Sequence, residues 1–335
     1  MGDQMASAGS AMLARWDALP AGAPVNLSEE MKLVTLDIIN RTMFSANVLP
    51  EADALGPVVD QGLHFVSKMT RSLINLPPGW PTPARARFKQ LRATLDNYLY
   101  GVISERRASS EKKDDLLDML LDARDEDTGL GMNDEQVRNE VATVYGAGHE
   151  TTALALTWTW LALNDNPTAL RKLRDEVDSM LAGRVPTMAD LPKLPYTLQV
   201  LEESMRLYPP APMTVRMAYE PATLAGHALP ARSFVLVSIN NIHRHPKHWT
   251  DPEQFNPERF APENKAALNK EAYLPFLTGP HLCIGNSFAL MEGQLLLAMM
   301  AQRYDVRVVP EQTIVRELAI TLRPKGGLRV SLHPR

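Results

Sequence analysis

The sequence contains almost no cysteine: Cys283 is the single thiol in 335 residues. One cysteine cannot close a disulfide within the chain, so a reducing compartment is the simpler expectation. Long apolar runs are also missing, because the most hydrophobic stretch, residues 151–165, is too short and too polar to span a bilayer. The first residues lack the basic and apolar segments of a secretory signal. These features predict a soluble cytoplasmic protein without a membrane anchor.

The chain also lacks an excess of positive charge. Its formal net charge is −4, which argues against nucleic acid as the main partner. No Gly/Ser linker, low-complexity tract or internal repeat divides the sequence. We therefore expect residues 1–335 to form one domain, which is large enough to bury a sizeable core.

Helical periodicity dominates the first two thirds of the chain. Amphipathic patterns over residues 28–44, 81–108, 167–182 and 193–208 each predict a helix. The longest predicted helix runs from Asn133 to Asn164, and Gln136 stands where a capping box requires it. The charged run at residues 110–115 is predicted to be a solvated loop or a helix edge.

Strand signals appear only late in the sequence. Short β-branched or alternating segments at residues 223–240 and 318–332 both look like hairpins, the second turning at Gly326 and Gly327. The predicted fold class is therefore mainly α with a small β region.

The single cysteine has an unusual setting. Gly279 and Gly285 remove side chains on both sides of the sulfur, so a flat partner can approach closely. Asn286 and Ser287 are placed to cap the helix that follows, and negative sulfur is stabilised before a helix N-terminus. A thiolate there can be a nucleophile, a redox centre or a metal ligand, and a buried structural Cys283 is the plain alternative. No second cysteine is available for a redox pair, and no Cys–His–Asn arrangement is legible.

The stretch PFLTGPHLCIGNSFAL resembles the haem-ligand loop of the cytochrome P450 monooxygenases, which reads Phe-x-x-Gly-x-Arg/His-x-Cys-x-Gly. Its fixed positions are filled here by Phe276, Gly279, His281, Cys283 and Gly285. The resemblance implies haem b (iron protoporphyrin IX) as the cofactor and Cys283 as the metal ligand. It also implies that Phe276 packs near the sulfur and that His281 hydrogen-bonds a haem propionate. A thiolate ligand pushes electron density onto iron and favours cleavage of the O–O bond.

Two glycines weaken the middle of the longest predicted helix. Gly146 and Gly148 each cost about 1 kcal/mol relative to alanine, and close helix packing is one explanation. Glu150 and Thr151 follow, and an acid and an alcohol beside a weakened turn suit proton delivery. AGHETT also resembles the family's oxygen-activation motif, Ala/Gly-Gly-x-Asp/Glu-Thr-Thr. This implies that Ala147 and Gly148 line the distal haem face. It further implies that Thr151 assists dioxygen activation and that Glu150 relays protons from solvent.

Further family features lie in the last third of the chain. Glu203 and Arg206 stand at i and i+3, and the resemblance implies that Arg259 locks them into a structural brace. It also implies that Arg216 binds a propionate. The histidines of HRHPKHW, residues 243–249, could suggest zinc, but no carboxylate or thiol completes that set, so a structural turn is expected.

The resemblance extends over almost the whole chain and implies the cytochrome P450 fold, lacking the N-terminal helices and strands that family members carry before residues 12–19. A fragment, a start-site error and a genuine truncation all remain open. The implied reaction is a monooxygenase reaction, which inserts one oxygen atom of O2 into a small apolar organic substrate. Electrons are expected from a separate ferredoxin- or flavodoxin-type donor. The alternatives are a haem-binding protein without turnover and a peroxide-driven relative, which the intact Glu150–Thr151 pair disfavours.

Overall fold

The secondary structure is mainly helical over residues 1–45, 50–70, 80–109 and 111–335, which a computed structural model describes. In chain order, the helices of these residues are α1 Gly2–Asp17, α2 Leu27–Met43, α3 Pro50–Thr70, α4 Pro83–Ala108, α5 Leu116–Asp122, α6 Asp134–Asp165, α7 Pro167–Leu181, α8 Pro195–Leu207, α9 Ile239–Ile242, α10 Pro262–Lys265 and α11 Asn286–Arg303. None of these helices is long and apolar enough to cross a bilayer.

Short antiparallel strands make up the β structure of the described residues. They are β1 Ala23–Asn26, β2 Thr214–Met217, β3 Ala222–Leu224, β4 His227–Leu229, β5 Phe234–Val237, β6 Tyr304–Val308, β7 Arg316–Leu318, β8 Leu322–Pro324 and β9 Arg329–Pro334. Strand β9 pairs with both β1 and β6, and the other pairs are β2–β5, β3–β4 and β7–β8. The prediction of a mainly α fold with a small β region is confirmed.

The core forms around α6 and α11. Residues 152–163 of α6 and 292–301 of α11 are buried all round. A helix that is buried on every side lies inside the protein, and the indole rings of Trp158 and Trp160 are almost completely buried accordingly. Helices α1, α2, α7 and α8 pack around this pair. The buried half of α6 therefore holds its other half, which carries Glu150 and Thr151, in a fixed place.

Helix starts follow the local sequence closely. The side chain of Asn133 accepts a hydrogen bond from the backbone N–H of Gln136, and the Gln136 side chain accepts one from the N–H of Asn133. This reciprocal pair is the predicted capping box, so that prediction is confirmed. Thr82 caps α4 in a similar way by accepting from the N–H of Arg85 at 3.2 Å. Predicted and observed helices agree to within about two residues elsewhere, as expected for helix ends.

The hairpin at Gly326 and Gly327 was predicted wrongly. The strand before the glycines, β8, pairs with β7, whereas the strand after them, β9, pairs with β1 and β6. Both glycines have positive φ, and a Cβ at Gly327 would overlap the side chain of Asn26. The glycine pair therefore lets the chain pass closely beside Asn26 and enter a second sheet.

The hairpin predicted over residues 223–240 is half right. Strands β3 and β4 form a hairpin across Ala225 and Gly226, which both have positive φ as a tight two-residue turn requires. The following strand, β5, pairs instead with β2, which precedes the hairpin in the chain. The paired residues of β2 and β5 are 17 to 23 positions apart, from Met217–Phe234 to Thr214–Val237, so no local signal marks this pairing.

The charged run at residues 110–115 is not simply solvated; Ser110 itself lies outside the described residues. Asp115 caps α5 and is buried, and its carboxylate accepts two hydrogen bonds from Arg106 at 2.6 and 2.8 Å. Arg106 also donates to Asp118 at 2.8 Å. Burial raises the pKa of Asp115, but the hydrogen bonds from Arg106 and from the Asp118 amide outweigh it and leave that pKa below its usual value. The run thus ends in a buried ion cluster.

Candidate active site

The single thiol lies in a tight loop, residues 274–285, which we call the thiol loop. The N–H of Cys283 donates to the carbonyl of Phe276 at 2.9 Å, which closes the loop on itself. Leu277 and Gly279 both have positive φ, and at Gly279 a side chain would be strained. The thiol of Cys283 is exposed to solvent, so the alternative of a buried structural cysteine is wrong for this structure.

Apolar side chains beside the thiol are exposed as well. Ile284 is 96% exposed and Leu282 is 49% exposed. Helix α11 begins immediately after the loop with Gly285 as its N-cap, and no side chain caps it. Asn286 and Ser287 were predicted to cap this helix, but both lie inside its first turn. The backbone N–H groups of that turn therefore remain close to the thiol end of the loop.

The thiol loop is anchored from the protein side by packing. Phe276 and Leu290 pack against a buried cluster of Ala155, Leu201 and Met205. These side chains come from α6 and α8, so the loop rests on the same helices that form the core. The packing of Phe276 near the sulfur stays a prediction.

The predicted brace is formed on α8. Arg206 donates to both carboxylate oxygens of Glu203, at 2.7 and 2.9 Å, and both side chains are completely buried. Arg259 lies 3.4 Å from the same carboxylate, and the N–H of Asn256 donates to it at 2.8 Å. The remaining Arg206 donors reach three backbone carbonyls, at positions 243, 252 and 254. All five N–H donors of Arg206 and both oxygens of the Glu203 carboxylate are thus hydrogen-bonded, as burial requires.

His243 connects the brace to the thiol loop. Its Nδ1 lies 3.2 Å from the carbonyl oxygen of Arg206, and its Nε2 accepts from the N–H of Leu274 at 2.8 Å. Burial lowers the pKa of His243 to about 4, so the ring is neutral near pH 7. Sequence reasoning took this histidine for part of a turn and missed the link, because its two partners lie more than 30 residues away.

The predicted oxygen-activation residues lie on an unbroken helix. The hydroxyl of Thr151 donates to the carbonyl of Ala147 at 2.8 Å, the back-bonding expected of a threonine inside a helix. Ala147 and Thr151 are one turn apart on the same face, where Ala147 is exposed and Thr151 is half-buried. The side chain of Glu150 is 5% exposed and is directed toward Thr321.

Residues from two distant elements hold the turn around Glu150. The hydroxyl of Thr321, next to β8, donates to Glu150 Oε1 at 3.4 Å. The hydroxyl of Thr35, on α2, donates to the carbonyl of His149 at 2.9 Å. Sequence reasoning missed both threonines, since neither carries a local motif.

The two glycines of α6 have different surroundings. A Cβ at Gly148 would lie 2.7 Å from Cδ1 of Ile39 on α2, so this position must be small for the two helices to pack. A Cβ at Gly146 would meet none of the described atoms within 4 Å. Close packing therefore explains Gly148, and its contact with the distal haem face stays a prediction.

The two residues predicted to bind propionates differ in exposure, because Arg216 is half-buried whereas His281 is exposed. His281 is exposed on the thiol loop. Arg216, on β2, donates to the Thr214 hydroxyl at 2.8 Å and to the Val215 carbonyl at 3.0 Å. Its guanidinium is folded onto its own strand, so binding a propionate requires it to turn outward.

The residues around Cys283 fit a haem group. The thiol is an iron ligand of the right chemistry, and it is exposed beside uncovered apolar side chains. A Cβ at Gly285 would come within 3.8 Å of the sulfur, and one at Gly279 would meet no described atom within 4 Å. The space next to the thiol is therefore open to a flat macrocycle. Elsewhere in the described ranges, no group of three or more His, Cys, Asp or Glu side chains could hold a metal ion.

The chain is similar in sequence to proteins of a known family. The family model for cytochrome P450 matches residues 3–330. Cyclooctatin synthase of Streptomyces melanosporofaciens is 36% identical over 324 residues, which cover 95% of this chain and 70% of that protein. Cyclooctat-9-en-7-ol 5-monooxygenase of the same organism is 35% identical over 297 residues, which cover 88% of this chain and 64% of that protein.

The same relationship holds in three dimensions. The crystal structure of the cytochrome P450DA heme domain superimposes with a TM-score of 0.90 at 27% sequence identity, covering 99% of this chain and 73% of that one. The chain thus spans between 64% and 73% of the length of these relatives. The predicted family, fold and cofactor are confirmed. The chain belongs to the cytochrome P450 family, a family of oxygen-incorporating oxidoreductases whose cofactor is protoporphyrin IX haem.

Proposed function

We propose that this chain acts as a haem-thiolate monooxygenase, which inserts one oxygen atom of O2 into a small apolar organic substrate and reduces the other to water. The observation that carries the proposal is the exposure of the only thiol, Cys283, in a glycine-flanked loop at the start of α11. One relative that is 35% identical over 297 residues is a 5-monooxygenase by name, which supports the same reaction class.

In this proposal the thiol loop would hold the haem. Sγ of Cys283 would bind the iron, while Gly279 and Gly285 keep the space beside the sulfur open. Phe276 supports the loop from the core side. His281 and Arg216 supply the cationic or hydrogen-bonding groups for the propionates. When bound, the haem supplies the iron centre at which O2 is activated.

The exposed face of α6 serves the other side of the site. Ala147 is exposed on this face and has only a methyl group, which leaves room for a substrate and O2, and the resemblance implies that Gly148 would line the haem beside it. Thr151 holds its hydroxyl proton on the carbonyl of Ala147, and a rotation about χ1 would turn that proton toward the site. Glu150, held by Thr321, can pass protons from solvent toward this turn.

Electrons come from a separate protein in this proposal, namely a ferredoxin- or flavodoxin-type donor. A cytoplasmic location suits such donors and keeps the single thiol reduced. The family as a whole uses O2, an organic substrate and redox partners, and this proposal specifies the type of each for the present chain.

A haem-binding protein without turnover is the second candidate. It is favoured by the hydroxyl of Thr151, which donates to the carbonyl of Ala147 at 2.8 Å and in this conformation directs its proton away from a bound O2. The two candidates predict the same cofactor but differ in whether labelled oxygen from O2 appears in an organic product.

The test is the coupling of electron use to product formation in Thr151→Ala. Alanine is a good helix former, so folding and haem binding should survive the change. Without the hydroxyl, protons reach O2 less productively, so we expect more hydrogen peroxide and less oxygenated product per electron donor consumed.

Thr143→Ala is the matched control. Thr143 lies two turns earlier on α6 and makes the same back bond, from its hydroxyl to the carbonyl of Asn139 at 2.8 Å. The control should leave the partition between product and peroxide unchanged. An equal partition in all three proteins would make Thr151 a packing residue, and a wild-type chain that incorporates no oxygen from O2 would favour the second candidate.

A further inference from the structure

The turn of the β7–β8 hairpin lies against the acid of α6. The chain reverses over residues 319–321, where the N–H of Ala319 donates to the carbonyl of Thr321 at 3.0 Å. The hydroxyl of Thr321 donates to Oε1 of Glu150 at 3.4 Å, and both side chains are buried. This contact joins the carboxyl group beside Thr151 to an element that comes 171 residues later in the chain.

The base of the hairpin is fixed to the core. The indole N–H of Trp158, which lies eight residues after Glu150 on α6, donates to the carbonyl of Leu322 at 2.9 Å. The N–H of Leu322 donates in turn to the carbonyl of Pro210 at 2.9 Å. Because Leu322 directly follows Thr321, these two bonds determine where the Thr321 hydroxyl meets the carboxyl group.

The outer side of the same turn is open to solvent. Ile320 is 44% exposed, whereas its neighbour Thr321 is 7% exposed. A hydroxyl donates one hydrogen bond and accepts two, so the Thr321 oxygen can accept a hydrogen bond from water while its proton is held by Glu150. Water, hydroxyl and carboxyl group can therefore form one continuous hydrogen-bonded route from the surface to α6.

The other sides of the turn around Glu150 are less suited to protons. On the side of α2, Thr35 and Ile39 are buried, and a Cβ at Gly148 would lie 2.7 Å from Ile39. Packing closes this side. The exposed face of α6 at Ala147 is the face that substrate and O2 occupy in the proposed function. The hairpin turn is the side that remains for the supply of protons.

We propose that protons for oxygen activation enter this protein at the β7–β8 turn, where Thr321 is the positioning residue that holds the Glu150 carboxyl group toward the entrance. The inference rests on the proposed function and adds the direction from which its protons come. Each proton that Glu150 passes toward Thr151 is replaced by one that water delivers through the Thr321 hydroxyl. Both side chains therefore have their original charge again after each transfer.

The first measurement reads the hydrogen bond directly and needs no turnover. The infrared band of the Glu150 carboxyl group is identified as the band that Glu150→Gln lacks. It should shift in Thr321→Val, which keeps the branched shape but removes the hydroxyl, and in Thr321→Ala, which also lacks it. Thr321→Ser retains a hydroxyl and should keep the band close to its wild-type position.

The second measurement is O2 consumption by the haem-loaded protein with a plant-type ferredoxin and its reductase, in H2O and in D2O. Reduction of O2 to hydrogen peroxide takes up two electrons and two protons, so it depends on proton delivery. We expect O2 consumption to be about tenfold slower in Thr321→Val, as part of the about 10²–10⁴-fold that a positioned acid or base contributes. The solvent isotope effect should increase, and Thr321→Ser should restore most of the rate.

Thr159→Val is the matched control. Thr159 is a buried threonine of α6, and its hydroxyl donates to the carbonyl of Ala155 at 2.7 Å rather than to a carboxyl group. This variant should keep the Glu150 band, the rate of O2 consumption and the isotope effect of the wild type. A loss of packing alone would not increase the isotope effect.

An unchanged Glu150 band in Thr321→Val overturns the inference, as do a wild-type rate and isotope effect in that variant or equal changes in Thr159→Val. The proposed function fails independently of this result. A wild type that incorporates no oxygen from O2 loses the monooxygenase reaction, and the infrared band still decides whether Thr321 positions Glu150. A protein that oxygenates substrate equally well with and without the Thr321 hydroxyl retains the reaction and loses the entrance.

Discussion

The brace and the thiol loop are linked through His243 but differ in exposure, because the brace is buried and the thiol loop is open to solvent. In the brace, Glu203 and Arg206 are completely buried, and protein groups satisfy their charges. In the thiol loop, Cys283 and its neighbour Ile284 are exposed, and the described protein leaves the apolar surface beside the thiol open.

The difference shows which part of the site the chain completes by itself. A buried charge without a partner costs several kcal/mol, so the brace must be finished within the protein. Burial of exposed apolar surface is favourable, so the apolar side chains beside the thiol favour the binding of another group over them. His243 bonds to both regions, so a change in one region can reach the other.

The largest expected effect is the loss of the brace. Arg206→Ala leaves the Glu203 carboxylate buried without its main partner, which should lower the free energy of unfolding by about 3–5 kcal/mol. Denaturant unfolding monitored by circular dichroism measures this change.

Arg259→Ala is the control within the same brace. Its side chain is 12% exposed and its ion pair is longer, at 3.4 Å, so its loss should cost clearly less than the loss of Arg206. If both variants unfold at the wild-type denaturant concentration, the brace is not what holds α8 in place.

The link through His243 should make stability depend on pH. Because the pKa of His243 is lowered by burial to about 4, the unfolded chain, with a histidine pKa of about 6.5, binds more protons between these values. Stability is therefore full above about pH 6.5 and falls as pH drops toward 4. From pH 7 to 5 this residue should cost about 2 kcal/mol.

Replacing the histidine isolates its share of that pH dependence. His243→Gln cannot titrate, so its stability should change less between pH 7 and pH 5 than that of the wild type. His227→Gln, at an exposed position of β4, should keep the wild-type slope. Identical slopes in all three proteins would show that His243 does not couple protonation to folding.

The two glycines of α6 should give effects of opposite sign, and the effect of Gly146 should be the smallest of all. Gly148→Ala forces a methyl group against Ile39 and should cost about 1–3 kcal/mol. Gly146→Ala fills open space and should stabilise the helix by up to about 1 kcal/mol.

A compensating variant sharpens this comparison. Ile39→Val removes the Cδ1 atom that the new methyl group would meet, so Gly148→Ala should be less costly in that background. Thermal unfolding of the four proteins of the double-mutant cycle gives the coupling. Additive effects would mean that Gly148 is not required by packing against α2.

Local features of the fold were predictable from the sequence. The capping box at Asn133 and Gln136 depends on residues three apart, and the motif positions of the thiol loop lie within ten residues. Both could be predicted because their residues are close together in the sequence. The loop's closing hydrogen bond, between Cys283 and Phe276, follows the same short spacing.

Features that depend on distant partners were not predictable. The segment after Gly327 appeared to form a hairpin, but its partners in β1 and β6 come from both ends of the chain. Asp115 was expected to be solvated, but Arg106, nine residues earlier in the chain, bonds to its carboxylate and the pair is buried. Thr321 carries no motif, and only the folded chain brings it to Glu150.

The central claim is that Cys283 binds the haem iron through its thiolate. The most direct measurement is the absorption spectrum of the reduced, carbon monoxide-bound protein, which distinguishes thiolate from other iron ligands. The wild type and the control Ser287→Ala should give the thiolate-type spectrum, and Cys283→Ser should lose it. A thiolate-type spectrum that persists unchanged in Cys283→Ser would contradict the claim, because the chain has no other cysteine.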